Sequence, residues 1–358
     1  MSERVLMKGN EAVAEAAVRG GCRYFFGYPI TPQNEIPEYM SKRLPEVGGA
    51  FIQAESEVSA INMVYGAAGA GGRTMTSSSS PGISLKQEGI SYIAGAELPC
   101  VIVNMVRSGP GLGGILPSQG DYFQAVKGGG HGDYRMLVYG PGSIQEAVDI
   151  VYKAFEKAEK YRIPVMILGD GVLGQMMEPV TLPDMIDVNS IPKKEWATDG
   201  TRSGKDRRII NSLYIEADVL EGMNNKFKTV YEKLKEETAC ETYKAEDAEV
   251  LLTAFGITAR IAKSAVEILR EKGVKAGLIR PITLYPFPSD VYKTYAAKSG
   301  VGRFIAFELN MGQMVEDVRL AVNGVKPVDF YGRTGGNIMS PEETANEVLR
   351  ILGENKQA

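Results

Sequence analysis

Short apolar runs alternate with helically spaced apolar positions along most of this chain, and that alternation leaves few folds open. In the first half the runs at 24–26, 50–53, 73–76, 101–106, 136–138 and 165–168 read as strands, and 35–43, 57–69, 83–96 and 144–161 as helices. Strands alternating with helices call for an α/β fold with a doubly wound, mostly parallel sheet, because each helix covers a face of the sheet on its way to the next parallel strand. Such sheets take their ligands at the carboxyl ends of the strands. The unusual loops fall at those ends. The 41 glycines are concentrated in loops between 66 and 142, where a missing Cβ lets backbone approach a ligand or partner.

From 178 to 246 the texture turns polar, with charged patches at 193–195 and 205–208. This stretch reads as a long connection with some local structure. A second alternating block follows, with strands at 250–255, 274–279, 303–308 and 328–331 and helices at 257–272 and 341–352. The expected organisation is a first domain over 1–178, a connecting segment over 179–246 and a smaller α/β domain over 247–358.

Composition removes several function classes. The net charge is −4, so the basic surface of a general nucleic-acid binder is missing. No run of ~18 apolar residues exists to cross a membrane. The charged opening lacks a signal-peptide core, which points to the cytoplasm. Cys22, Cys100 and Cys240 lie far apart and His131 is the only histidine, so neither a local cysteine cluster nor a three-histidine metal site is expected in this chain.

Several strand-end segments are chemically suggestive. Tyr28-Pro29-Ile30-Thr31-Pro32 presents the Thr31 hydroxyl between two prolines, as a rigid ligand loop or a stiff turn. Glu55 and Glu57 flank the start of a helix, where a carboxylate either complements the positive helix end or points into a cleft. Residues 74–80 lead into Pro81-Gly82, a helix start offering hydroxyls and amides to an anion or to its own cap. Arg107 precedes a Gly loop and suits pairing with a carboxylate. His131 in its Gly loop, without a visible partner, reads as structural or interfacial. The loops at 280–288 and 332–337 read as interfaces. Gly169-Asp170-Gly171 lacks the downstream asparagine of a diphosphate–magnesium motif and reads as a strand-end turn.

Taken in order, these segments resemble the α-type subunits of 2-oxoacid:ferredoxin oxidoreductases over nearly the whole chain. The markers are YPITP at 28–32, the 55–60 stretch, TSSSSPGISLKQ at 76–87, Arg107 with its Gly loop, GGGHG at 128–132 and the 280–288 loop. The stretches 7–33 and 55–95 are most similar to the 3-methyl-2-oxobutanoate (2-ketoisovalerate) type. The resemblance implies a thiamine-type pyrimidine-binding domain followed by a transketolase C-terminal-like domain. It implies thiamine diphosphate shared with a β-type, diphosphate-binding subunit. Magnesium and iron–sulfur clusters are implied on partners, including γ-type and ferredoxin-like subunits, with ferredoxin as electron acceptor and coenzyme A as co-substrate. Glu57 is then the carboxyl that hydrogen-bonds the aminopyrimidine, with Glu55 as its competitor. Tyr28, Pro29 and Ile30 lie beside the cofactor, and Thr31 and Arg107 contact the 2-oxoacid.

The loop after Arg107 departs from the 2-oxoglutarate-type pattern, which resemblance would give a Thr and a Lys. Lys86 and Lys127 remain candidates for the extra cation a dicarboxylate needs. An apolar pocket around Ile115 and Leu116 suits a branched chain, at ~0.8 kcal/mol per buried methylene. The alternatives are a 2-oxoglutarate or pyruvate enzyme of the same family, or a non-catalytic scaffolding subunit.

Overall fold

The structure, a computed structural model, describes residues 4–200 and 206–354. Lys205 of the second charged patch and the first three residues of the opening lie outside them. The described chain begins with β1 (Arg4–Lys8), α1 (Gly9–Arg19), β2 (Tyr24–Gly27), α2 (Glu35–Glu46), β3 (Ala50–Gln53), α3 (Glu57–Gly69), β4 (Thr74–Ser78) and α4 (Ser80–Gly95). It continues through β5 (Cys100–Val106), α5 (Tyr122–Val126), β6 (Leu137–Tyr139), α6 (Ile144–Tyr161), β7 (Pro164–Asp170), α7 (Gly171–Gln175), β8 (Met177–Thr181) and α8 (Ala217–Lys233). The remainder is β9 (Cys240–Tyr243), β10 (Val250–Thr253), α9 (Gly256–Glu271), β11 (Ala276–Pro281), β12 (Thr283–Tyr285), α10 (Ser289–Ala296), β13 (Arg303–Glu308), α11 (Met314–Val322), β14 (Val328–Gly332) and α12 (Pro341–Glu354).

The first sheet has the order β12-β6-β7-β5-β4-β2-β3. All its pairs are parallel except β12 with β6. The central strands β5 and β7 are buried at every position, which is why they read as continuous apolar runs rather than alternating ones. α6 buries Ile144, Ala147, Val148, Val151, Ala154 and Phe155, a stripe at helical spacing. It opens on a variant of the capping box, in which Ser143 Oγ accepts from the Glu146 amide and Glu146 accepts from the amide of Gly142, one residue before the cap. It ends where Arg162 turns left-handed at φ 53°.

The second sheet, β14-β13-β10-β11-β9, is parallel except for β9. Three differences from the expected elements have physical causes. The polar stretch after 178 holds more regular structure than a connection. Its β8 pairs antiparallel with β1, and its β9 forms an edge of the second sheet. These short edge strands depend on distant partners, so local pattern does not reveal them. The strand expected at 165–168 runs on to Asp170, and Gly171 opens a helix rather than a plain turn, because Asp170 caps α7. Finally, α4 starts at Ser80, earlier than its apolar spacing suggests.

The 280–288 segment, expected to face another subunit, is largely an intrachain joint. Arg280 makes a bidentate pair with Glu146 at 2.7 Å on each arm and a further bond to Glu241 at 2.8 Å. β12 then joins the first sheet. Truncating one partner leaves a partly buried charge unpaired, so Arg280→Ala is expected to lower stability by ~2–3 kcal/mol. In denaturant unfolding, the loss should be strongly non-additive with that of Glu146→Ala; additive losses would show that the pair does not join the two sheets energetically.

Candidate active site

Parallel strands β2, β3, β4, β5 and β7 all end at one edge of the first sheet, and the Tyr28–Pro32 loop, Glu55 and Glu57, the 74–82 stretch and Arg107 with its Gly loop leave from that edge. Chain order reverses between β2 and β4, the kind of switch point at which such sheets open a crevice. Polar bonds span this switch. Thr76 Oγ1 donates to the Phe26 carbonyl at 2.6 Å. Ser77 Oγ donates to Gln33 Oε1, and Gln33 Nε2 donates to the Tyr28 carbonyl at 3.3 Å. The Tyr28–Pro32 loop is thereby tied to β4. Tyr28, Ile30 and Thr31 are half-buried and Pro29 is exposed.

The two glutamates separate cleanly. Glu55 is exposed, whereas Glu57, the first residue of α3, is 6% exposed. Ser56 caps the helix by accepting from the Ser59 amide. Capping therefore does not need Glu57, whose carboxylate is turned against the start of α4. A Cβ placed on Gly82 would lie 2.1 Å from Ser78 Oγ and 2.6 Å from Glu57 Oε1. Only glycine allows this approach.

Arg107, at the end of β5, reaches across to the loop after β2. Its Nη1 donates to the Thr31 carbonyl at 3.2 Å and its Nη2 to the Leu112 carbonyl at 3.1 Å. Thr31 and Arg107 are thus brought together. The loop after Arg107 closes on itself through Ser108 N to the Leu116 carbonyl, 2.9 Å, and Gly114 N to the Ser108 carbonyl, 2.9 Å. Its apolar side chains Leu112, Ile115 and Leu116 are exposed. A cavity of about 340 Å³ lies between this loop and the α2 entrance, lined by Thr31, Pro32, Glu35, Ile115, Leu116 and Gln175 among others.

Three of the buried polar atoms that lack partners lie at this edge. Among the described residues, Ser78 Oγ, Ser79 Oγ and Arg107 Nε are buried and unbonded. The helix start they surround is therefore not the over-capped one that its serines suggest, since Ser79 makes no side-chain cap bond. Burial of such groups is unfavourable unless a partner arrives. The Glu57 carboxylate with the Ser78 and Ser79 hydroxyls supplies the acceptor and donors that a heteroaromatic ring bearing ring nitrogens and an amino group would need.

Other candidates move away from the edge. Lys127 is ion-paired to Asp317. His131 is exposed and edge-on to Tyr92. The 332–337 loop, expected at an interface, leans on its own chain: Arg333 pairs with Glu343, and a Cβ on Gly336 would lie 2.3 Å from Leu116 Cβ. Sequence reasoning missed the close approach at Gly82, the Gln33–Ser77 tie and the capping of α7 by Asp170. Burial pushes the Asp170 carboxyl up to about 6 against bonds from the Leu173, Val172 and Ile257 amides.

Comparison with known proteins decides the family. Residues 15–247 match the family described as pyruvate flavodoxin/ferredoxin oxidoreductase, thiamine diphosphate-binding. Residues 248–344 match pyruvate:ferredoxin oxidoreductase core domain II. The chain belongs to the pyruvate flavodoxin/ferredoxin oxidoreductase family. It is 49% identical to the ketoisovalerate oxidoreductase subunit VorB of Methanothermobacter thermautotrophicus over 98% of each chain. It is 37% identical to the 2-oxoglutarate synthase subunit KorA of the same organism, over 98% of this chain and 100% of the other. Among solved structures it superposes on the 2-oxoglutarate:ferredoxin oxidoreductase of Magnetococcus marinus, seen with 2-oxoglutarate, coenzyme A and succinyl-CoA. That match has a TM-score of 0.87 and 29% identity, and it covers 98% of this chain and 65% of the other. A split-gene transketolase at 14% identity and TM-score 0.58 shares the fold. Among the described residues no helix is long and apolar enough to cross a membrane, and no three His, Cys, Asp or Glu side chains gather as a metal site.

Gly82→Ala tests the close approach directly. Both clashing atoms are side-chain ends, so the fold should survive by displacing them. The assembled enzyme should then bind thiamine diphosphate at least about tenfold more weakly, ~1.4 kcal/mol. Unchanged affinity in a calorimetric titration would remove Gly82 and Glu57 from the cofactor's surroundings.

Proposed function

We propose that this chain is the pyrimidine-binding, α-type subunit of an enzyme that oxidatively decarboxylates 3-methyl-2-oxobutanoate to an acyl-coenzyme A and carbon dioxide, passing electrons to ferredoxin. The observation that carries this reading is the buried Glu57 carboxylate pressed against Gly82. It sits on the same sheet edge as the Arg107–Thr31 pair, in a chain 49% identical to a ketoisovalerate oxidoreductase subunit.

In this reading Glu57 holds the aminopyrimidine of thiamine diphosphate, with Tyr28, Pro29 and Ile30 flanking it. When bound there, the cofactor supplies an electron sink that makes loss of carbon dioxide from a 2-oxoacid feasible. The chain's own residues orient and exclude water. The low exposure of Glu57 strengthens any hydrogen bond it makes. The Arg107 guanidinium presents a fixed charge and an unpartnered Nε to a carboxylate. The Thr31 hydroxyl, which accepts from Asn34 Nδ2 at 3.3 Å, keeps its own proton to donate.

Partner chains complete the enzyme. A β-type subunit takes the diphosphate and magnesium, while γ-type and ferredoxin-like subunits carry the iron–sulfur clusters. Exposed apolar residues Val58, Leu85 and Tyr92 on α3 and α4 offer a docking face beside Glu57. The three free, unbridged cysteines suit a reducing cytoplasm.

The branched substrate is favoured over 2-oxoglutarate on charge. Among its described lining residues the cavity at Ile115 and Leu116 has no lysine or arginine, and its charged member is Glu35. Lys127 is committed to Asp317, and the Lys86 amine is bonded to Thr76 and the Ser77 carbonyl. A second carboxylate would therefore enter without a counter-charge.

The test is coenzyme A-dependent reduction of a viologen dye by the anaerobic complex, offered 3-methyl-2-oxobutanoate, 2-oxoglutarate and pyruvate. Preference for the branched acid is expected; preference for either other acid would overturn the substrate. Glu57→Gln should lower turnover by about 10²–10⁴-fold while the complex stays assembled. Loss of assembly with that variant would instead favour the scaffolding reading. Arg107→Lys should raise KM for the 2-oxoacid by about tenfold or more, and an unchanged KM would place Arg107 outside the substrate site.

A further inference from the structure

Lys86 is fully buried and has no role in the reading above. Gly82, Lys86 and Gly89 are spaced to share one face of α4. Glu57 and Ile61 share a face of α3 in the same way. A Cβ on Gly82 would meet Glu57 Oε1 at 2.6 Å, and one on Gly89 would meet Ile61 Cγ2 at 2.5 Å. Lys86 therefore leaves α4 between the two closest points of the helix pair. Its Nζ ends on β4, donating to Thr76 Oγ1 at 2.8 Å and to the Ser77 carbonyl at 2.9 Å.

Those are two neutral acceptors. They match the two N–H groups of a neutral amine, while an ammonium has a third proton to place. Among the described residues no carboxylate is in ion-pair contact with Lys86. Burial pushes its pKa down to about 7, and the charge that pulls the other way is Glu57. From β2 it is faced, through Thr76, by the Phe26 carbonyl. The other charged groups around the start of α4 are committed elsewhere. Asp121 accepts from Asn104 Nδ2, and Arg107 donates to the Thr31 and Leu112 carbonyls.

We propose that Lys86 is a positioning residue for Glu57, a buried amine whose charge follows that of the carboxylate, so that seating a hydrogen-bonding ring on Glu57 is coupled to proton loss from Lys86. This rests on the reading of Glu57 given above. Where Lys86 is charged the proton balance closes within the pair; where it is already neutral, the proton that Glu57 takes comes from solvent. If Glu57 gains a proton with which to bind a ring nitrogen, the negative charge that favours the ammonium disappears. One Lys86 N–H bond then breaks, and the amine keeps both of its hydrogen bonds.

Titration calorimetry of thiamine diphosphate into the assembled complex tests this. Runs in two buffers of different ionisation enthalpy, between pH 6 and 8.5, count the protons exchanged. In the wild type that count should change with pH by up to about one proton, centred near neutrality. Lys86→Met should still bind, within about tenfold, but with a flat count. A wild-type curve retained in Lys86→Met would overturn the proposal. Should that variant fail to assemble, Thr76→Val removes one acceptor of the amine at similar size, and the curve should move to lower pH; an unmoved curve overturns the proposal equally. A flat count in the wild type would sink this coupling alone, whereas no binding by the wild type would sink the reading of Glu57 with it.

Discussion

The close approach of α3 to α4 governs the chemistry of this edge of the sheet. Two glycines on α4, Gly82 and Gly89, let Glu57 and Ile61 of α3 enter where side chains would otherwise stand. A helix pair separated by ordinary side chains would leave Glu57 facing solvent, as Glu55 does. Because the helices touch, the carboxylate is dry, the hydroxyls of Ser78 and Ser79 are stranded, and Lys86 is sealed beneath. Each of these is unfavourable in isolation. Together they leave hydroxyls at this edge that a bound group would complete, and departures of this kind are expected where a fold has been adapted for function.

Rigidity around that edge comes from the joint between the two sheets. Gln119 is its centre: Oε1 accepts from Thr258 Oγ1 and the Leu309 amide, both at 3.0 Å, and Nε2 donates to the Phe255 carbonyl at 2.9 Å. Asp170 ends β7, caps α7 and is bonded from α9 by the Ile257 amide. The second sheet thus grips the strand ends of the first. Through Gly336 it also seats Leu116, so the wall of the apolar cavity is set partly by residues more than two hundred positions away in sequence.

What the sequence makes legible follows from how local each signal is. β5 and β7 stand out because burial on both faces leaves no polar position to confuse them. α6 stands out because its buried stripe and its capping box agree. β8 and β9 do not, since each is a short edge strand held by β1 or β11 from far along the chain. Nor does α1, whose buried positions include Asn10 and Glu15 among the alanines and valines, so that periodicity is blurred. At the site, Glu57, Thr31 and Arg107 come from the order of motifs taken together, because no one of them is distinctive alone. Lys86 sits in the same motif, but its spacing cannot say which polar residue on an apolar helix face is dry. That depends on the two glycines and on α3, which only the packed structure supplies.

Selectivity among 2-oxoacids then has a natural location. Relatives at 49% and 37% identity over almost the whole chain are named for different 2-oxoacids. A carboxylate and a 2-oxo group are common to all such substrates, and in the proposed reading the Arg107–Thr31 pair meets only those. What differs is the tail, and in that reading the element beside it is the self-closed loop from Ser108 to Pro117, which lines the apolar cavity. Its backbone bonds are internal and its side chains Leu112, Ile115 and Leu116 face outward. Arg107 is anchored here by the backbone carbonyl of Leu112, so the acceptor itself does not depend on those side chains. Each buried methylene is worth ~0.8 kcal/mol, so an apolar wall separates a branched tail from a shorter one only modestly. A tail ending in a second carboxylate is rejected far more strongly, because burying an uncompensated charge outweighs several such contacts. In the proposed site the loop would therefore discriminate mainly by the cation it omits, and only secondarily by the shape it provides.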